Sequence, residues 1–133
     1  MKLYVDASAL VKLLVVEAGS ADVVQLWSEA DEVVSAGIVA IEARAAVARR
    51  LRGVAATGAR RQLSVRLSGM ALLHLDRVLT AKAASVADRY RLRALDAVHL
   101  AAALEVRDSS LVFATWDAEV REAAARAGLV TAL

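Results

Sequence analysis

Asp6, Glu42, Asp96 and Asp117 are the residues of this sequence best placed to do chemistry, and the reason lies in what flanks them. Asp6 follows the apolar run Leu3–Val5, where a carboxylate is expensive to bury without a partner. Asp117 comes just after a second apolar run, Leu111–Ala114, and stands at the start of a helical stretch. Asp96 opens an apolar helix, and Glu42 lies in the first turns of another that follows Glu32–Ala36. All four therefore fall at strand ends or helix starts, on what should be one rim of a sheet. Converging carboxylates repel and raise one another's pKa values, so a bound cation is what makes such a cluster sensible. Oxygen donors with no cysteine and no histidine cluster point to Mg²⁺ or Mn²⁺. Taken singly, each acid also has a structural use. Asp117 is a good helix N-cap, Asp96 sits well against a helix macrodipole, and Glu42 suits a surface.

The elements that must position these acids can be read from periodicity and punctuation. Lys2–Val5 reads as a strand ending at Asp6, followed by a helix over about Ala7–Val16 closed by Gly19. Ser20 can cap a second helix through Glu29. Glu32–Ala36 reads as a strand with Gly37 as its break, and Ile38–Arg52 as a helix with Ile38, Ile41, Ala45 and Ala48 at helical spacing. Gly53 is its expected stop. A basic helix over Thr57–Ser68, a strand over Leu72–Leu75 and a helix over Thr80–Arg91 capped by Thr80 follow. Then come an apolar helix over Leu95–Val106, the strand Leu111–Ala114, a helix over Ala118–Ala127 ending at Gly128, and an edge strand over Leu129–Thr131. This alternation predicts an α/β fold, a three-layer sandwich whose central parallel sheet has four to five strands. In such sheets ligands gather outside the carboxyl ends of the strands, which is where the acids fall.

Length and composition agree with one domain over residues 1–133. Hydrophobic residues make up 59% of the chain and aromatics only 4%, so the core must be aliphatic and alanine-rich. The absence of cysteine excludes disulfides, thiolate metal sites and cysteine nucleophiles. Asp6 and Lys12 interrupt the first apolar stretch, no run reaches the roughly 18 apolar residues of a membrane helix, and nothing reads as a signal peptide. A cytoplasmic protein with no membrane partner is expected. The net charge of +2 is unevenly spread: Ala43–Leu75 holds seven arginines and no acid, a charge of +7, which leaves −5 on the rest. That asymmetry suits either a surface facing a polyanion or a solvated arginine face.

The stretch Tyr4–Ser20 (YVDASALVKLLVVEAGS) resembles the opening of a PIN domain of the VapC toxin family. Leu92–Ala103 (LRALDAVHLAAA) and Phe113–Asp117 (FATWD) resemble that family's third and fourth acidic motifs, and Ala127–Val130 its closing segment. The matches run from Lys2 to Val130, and their order and spacing make them specific together. The resemblance implies a Mg²⁺- or Mn²⁺-dependent endoribonuclease with a metal site of Asp6, Glu42, Asp96 and Asp117. Glu42 takes its place as the one acid between Glu32 and Asp76. Ser8 and Thr115 occupy the positions of hydroxyls that support the carboxylates in that family. A homodimer is also implied, silenced by a cognate antitoxin whose tail fills a groove near the site. The helices around Leu10–Val16 and Val23–Trp27 are candidates for that groove, although core packing explains them equally.

Arg49 lies seven residues beyond Glu42, nearly on the same helix face, and with Arg44 and Arg52 is a candidate for holding RNA phosphate. Arg60, Arg61 and Arg66 are expected to add only sequence-independent affinity. Trp116 suits either base stacking or half-buried packing, and Trp27 a core or partner-facing role. His99 reads as a packed or capping residue, and His74, in an apolar strand, as structural. Three other readings fit less well. A phosphatase of the haloacid dehalogenase kind wants a second Asp where Ser8 stands and a late lysine, and a receiver domain wants adjacent acids in its first loop. A degenerate PIN domain that only binds RNA or acts as a scaffold has no need of all four acids.

Overall fold

The innermost strand is β1 (Lys2–Val5), and its residues show why the molecule has two cores. In the computed structural model, which describes all 133 residues, Leu3, Tyr4 and Val5 are fully buried. Successive strand residues point to opposite faces. Tyr4 joins Val34, Ala36, Leu111 and Phe113 on one side, while Leu3 and Val5 join Val33 and Ala114 on the other. A strand covered on both faces has no solvent side, so its sequence is continuously apolar instead of alternating.

The chain runs β1, α1 (Ala7–Val11), α2 (Ser20–Glu29), β2 (Glu32–Ala36), α3 (Val39–Arg50), α4 (Gly53–Ser68) and β3 (Ala71–Leu73). It continues with α5 (Arg77–Tyr90), α6 (Ala94–Glu105), β4 (Leu111–Ala114), α7 (Ala118–Arg126) and β5 (Val130–Ala132). All five strands are parallel, in the order β3-β2-β1-β4-β5. Residues of α5, α6 and α7 pack on the Tyr4 face and residues of α1, α3 and α4 on the Leu3 face, giving the expected three layers. After β3 the chain returns to the far side of β1, so strand order reverses between β1 and β4. This is the crevice where open α/β sheets bind ligands. No helix is long and apolar enough to cross a membrane.

Local structure departs from the sequence expectations where short-range bonds compete. The first helix stops at Val11, not Val16, because Lys12, Leu13 and Leu14 tighten into three-residue turns bonded to Ala9, Leu10 and Val11. Gly19, at φ +89°, takes the N-cap position of α2, while Ser20 Oγ accepts from Glu17 N–H and donates to the Val15 carbonyl. Gly53 starts a helix instead of stopping one. The break is the extended pair Leu51 and Arg52, after which Gly53 turns the chain at φ +57°, and α4 begins four residues before Thr57. Asp76, not Thr80, caps α5 by accepting from Leu79 N–H, so that helix starts earlier. His74 lies beyond β3 and is exposed, so it is not a core residue. In α3 the buried face is Val39, Ala43, Ala46 and Val47, whereas Ile41 is 73% exposed. Both sets obey helical spacing, and the small side chains are the ones that let α3 lie close to α1 and α4.

Candidate active site

Asp6 is 4% exposed at the end of β1, and its charge is met by donors the chain folds around it. Its Oδ1 accepts from Ser8 Oγ at 2.6 Å and from Ala9 N–H at 3.0 Å, which makes it the N-cap of α1. Its Oδ2 accepts from Thr115 Oγ1 across the β1/β4 boundary. The same hydroxyls bind the second acid's loop: Thr115 Oγ1 accepts from Asp117 N–H at 3.1 Å and Ser8 Oγ from Trp116 N–H at 2.8 Å. Ser8 and Thr115 thereby lock the loops after two adjacent strands together. Asp117 caps α7 through Oδ1, which accepts from Glu119 and Val120 N–H. Its Oδ2 faces Arg93 Nη2 at 3.8 Å.

Asp96, in the first turn of α6, meets the same arginine, with Arg93 Nε 3.6 Å from its Oδ2. Burial pushes the Asp96 carboxyl above its ordinary value, and repulsion from Asp117 and Asp6 adds to it; the attraction of Arg93 does not cancel the rise. These three acids are therefore electrostatically coupled and short of positive charge. Glu42, in the first turn of α3, is held differently, by His99 Nε2 at 2.6 Å from its Oε1. His99 is 1% exposed and packed, as its sequence context suggested, but its second ring nitrogen meets Tyr4 Oη at 2.9 Å.

A cleft of about 640 Å³ opens beside these residues, with Ser8, Glu42 and Asp117 in its wall. Arg49 lines it, whereas Arg44 is exposed outside it and Arg52 turns back to the Ala48 and Leu51 carbonyls at the end of α3. Its apolar wall includes Val11, from the Leu10–Val16 segment, with Ile41, Leu95 and Trp116, whereas the Leu10 and Val23 side chains are buried in the interior. Trp27 is half-buried under Arg66, whose guanidinium lies 5.0 Å from its ring centroid, so this arginine is partly engaged in packing.

Sequence reasoning passed over Arg93, Lys12 and Tyr4. Arg93 precedes Asp96 by three residues, a helical pairing distance that was a usable signal. Lys12 is buried, bonds Glu17 Oε1 and the Ala18 carbonyl, and holds its ammonium 4.3 Å from the Trp116 ring centroid. That ring also packs against Gly19, where an added Cβ would come within 2.5 Å of it. A single lysine kept inside an apolar run was the trace of this cluster in the sequence. Tyr4 was hidden among core residues.

Comparison with known proteins accords with this geometry. The PIN domain profile matches residues 3–126. Ribonuclease VapC45 of Mycobacterium tuberculosis (strain CDC 1551 / Oshkosh) is 37% identical over 130 residues, covering 94% of this chain and 90% of its own. The chain belongs to the PIN-domain family, in its VapC branch. The crystal structure of M. tuberculosis VapC20, described as a sarcin-ricin loop cleaving toxin, shares the PIN fold with a TM-score of 0.74 at 19% identity, over 96% of both chains. A toxin–antitoxin complex from Klebsiella pneumoniae matches with a TM-score of 0.64 at 16% identity, over 88% of this chain and 87% of that one. The resemblance of the acidic motifs to PIN domains thus extends to the whole fold.

Proposed function

We propose that this chain is a Mg²⁺- or Mn²⁺-dependent endoribonuclease and the toxin of a toxin–antitoxin pair, acting on RNA in the cytoplasm as one PIN domain. The observation that carries the reading is the coupled set Asp6, Asp96 and Asp117 at the β1/β4 crevice in a chain 37% identical to a ribonuclease. The donor set suits a hard cation, being all carboxylate oxygen. No three acids or histidines stand close enough together to hold an ion as they are, so the assigned carboxylates would have to draw together around it, with water completing its shell. Asp6, Asp96 and Asp117 are the ligands we assign, with Glu42 binding the ion or a water beside it. When bound, the cation lowers the pKa of a water and neutralises charge on the phosphate.

The chain's own residues do the rest. Ser8 and Thr115 hold the Asp6 carboxylate in one orientation, so it need not reorganise when substrate arrives. Arg49 on the cleft wall can hold a neighbouring phosphate, and the α4 arginines, exposed Arg61 with half-buried Arg60 and Arg66, supply salt-sensitive affinity. One of the carboxylates takes the proton of the attacking water. The exposed Ile41, Leu95 and Trp116 beside the acids suit an apolar antitoxin segment, and we assign a homodimer as the active assembly. The test is cleavage of a labelled structured-RNA pool with Mg²⁺, Mn²⁺ or EDTA, comparing wild type with Asp6→Asn. Discrete cuts that need metal and vanish in the variant support the reading. Cuts that survive the substitution overturn it.

A further inference from the structure

Asp6 and Asp117 are each steadied by several donors and Asp96 faces Arg93 alone, whereas Glu42 has a single hydrogen-bond partner, His99 Nε2. That histidine is buried among the apolar residues of α6, where an unsatisfied ring nitrogen is costly. Its Nδ1 faces the Tyr4 hydroxyl at 2.9 Å. The Tyr4 oxygen already accepts from Ala36 N–H at 3.0 Å, and Ser35 Oγ spends its own proton on the Val5 carbonyl at 2.7 Å. The phenol proton therefore goes to Nδ1. An imidazole that accepts at Nδ1 carries its proton at Nε2, pointing at Glu42. The opposite tautomer would set a lone pair against a carboxylate oxygen 2.6 Å away.

We infer that Tyr4 and His99 form a positioning relay, in which the tyrosine hydroxyl fixes the imidazole as an Nε2–H donor and that donor aims Glu42 into the cleft. This rests on the assignment of Glu42 to the cation site. It explains why a polar pair is threaded through the core: Tyr4 stacks on Phe113 and meets His99 edge-on, so both rings are packed in place beside the carboxylate they position. Outer partners of this kind set the orientation of ligands, and their loss typically costs about 10- to 100-fold in metal affinity.

The experiment combines ¹⁵N NMR of the imidazole with Mn²⁺ titration followed by EPR, on wild type, Tyr4→Phe, His99→Leu, His99→Gln and Glu42→Gln, each checked by circular dichroism and thermal unfolding. At neutral pH the wild-type ring should show an Nε2–H, Nδ1-acceptor pattern, and Tyr4→Phe should lose it. His99→Leu should weaken Mn²⁺ binding by about 10-fold or more, and His99→Gln, which keeps a donor at the Nε2 position, should regain most of it. An Nδ1–H tautomer or an imidazolium in the wild type overturns the relay whatever the metal data show. If Glu42→Gln weakens binding but folded His99→Leu and Tyr4→Phe bind as wild type, the relay fails and the metal assignment stands. If Glu42→Gln itself binds as wild type, the assignment of Glu42 to the ion fails, and the positioning role with it. Should His99→Leu not fold, Tyr4→Phe and His99→Gln carry the same comparison.

Discussion

The two ends of β1 treat negative charge in opposite ways. At its start, Lys2 reaches Asp108 at 2.6 Å and Glu32 at 3.9 Å, and the Ser110 hydroxyl and backbone N–H add two donors to Asp108. The Asp108 carboxyl is held down at about 2, by the Lys2 hydrogen bond first and the Ser110 donors next. At its end, Asp96 and Asp117 share one mostly exposed arginine, Asp6 is met only by hydroxyl and backbone donors, and Asp96 is pushed upward by burial and by its acidic neighbours. One end supplies its own cations. The other is left short of positive charge, a state that folding alone does not favour and a divalent ion would relieve.

Breaking the carboxyl end should have the largest effect. Asp117→Asn or Asp6→Asn should lower metal-dependent RNA cleavage by more than the roughly 10- to 100-fold typical of outer-shell changes, since a ligand itself is lost. Gel assays at saturating Mg²⁺ would show it, and cleavage within a few-fold of wild type would remove these acids from the mechanism. Next in size is the effect of the ion on stability. Mn²⁺ at about 100 times its dissociation constant should stabilise the wild type by about 2.7 kcal/mol. Thermal unfolding with and without Mn²⁺ measures this, and Asp96→Asn should lose most of the increment.

The smaller effects concern pH, and their signs oppose each other. A raised folded-state pKa contributes stability that is present below the unfolded value and lost as pH rises through the folded one. Metal-free Asp96→Asn should therefore be more stable than wild type at neutral pH, with the advantage fading as pH falls through the raised value and gone below the ordinary carboxyl range. A depressed pKa works the other way, so the stability Asp108 confers is present above the unfolded value and lost as pH falls through about 2. Asp108→Asn should be slightly less stable than wild type at neutral pH, in a salt-sensitive way because the pair is exposed. Unfolding curves between pH 2 and 7 would test both. Equal signs for the two substitutions would dissolve the contrast between the ends.

The sequence by itself determined the layer order and the rim. Continuous apolar runs alternating with helical ones can form only a buried parallel sheet, and acids placed after those runs must meet at its carboxyl edge. Strands β1, β2 and β4 were legible to the residue because burial on both faces leaves them mostly apolar, with Ser35 the one polar residue inside them. Helix ends were less legible: Ser20, Thr80 and Gly53 each had a local role to fill, and a neighbour or a backbone break filled it instead. The face of α3 was undecidable in sequence because two sets of residues satisfy the same period, and close packing against α1 and α4 chose the one in which valine stands in place of isoleucine. Only the tertiary structure decided that Ser8 and Thr115 share Asp6, that Arg93 lies between Asp96 and Asp117, and that Tyr4 reaches Glu42 through His99. These partners are separated by as many as 109 residues, and periodicity carries information only over a few turns. Which polar group meets which across a core is settled by the geometry of packed layers and by the cost of leaving any buried donor or acceptor alone.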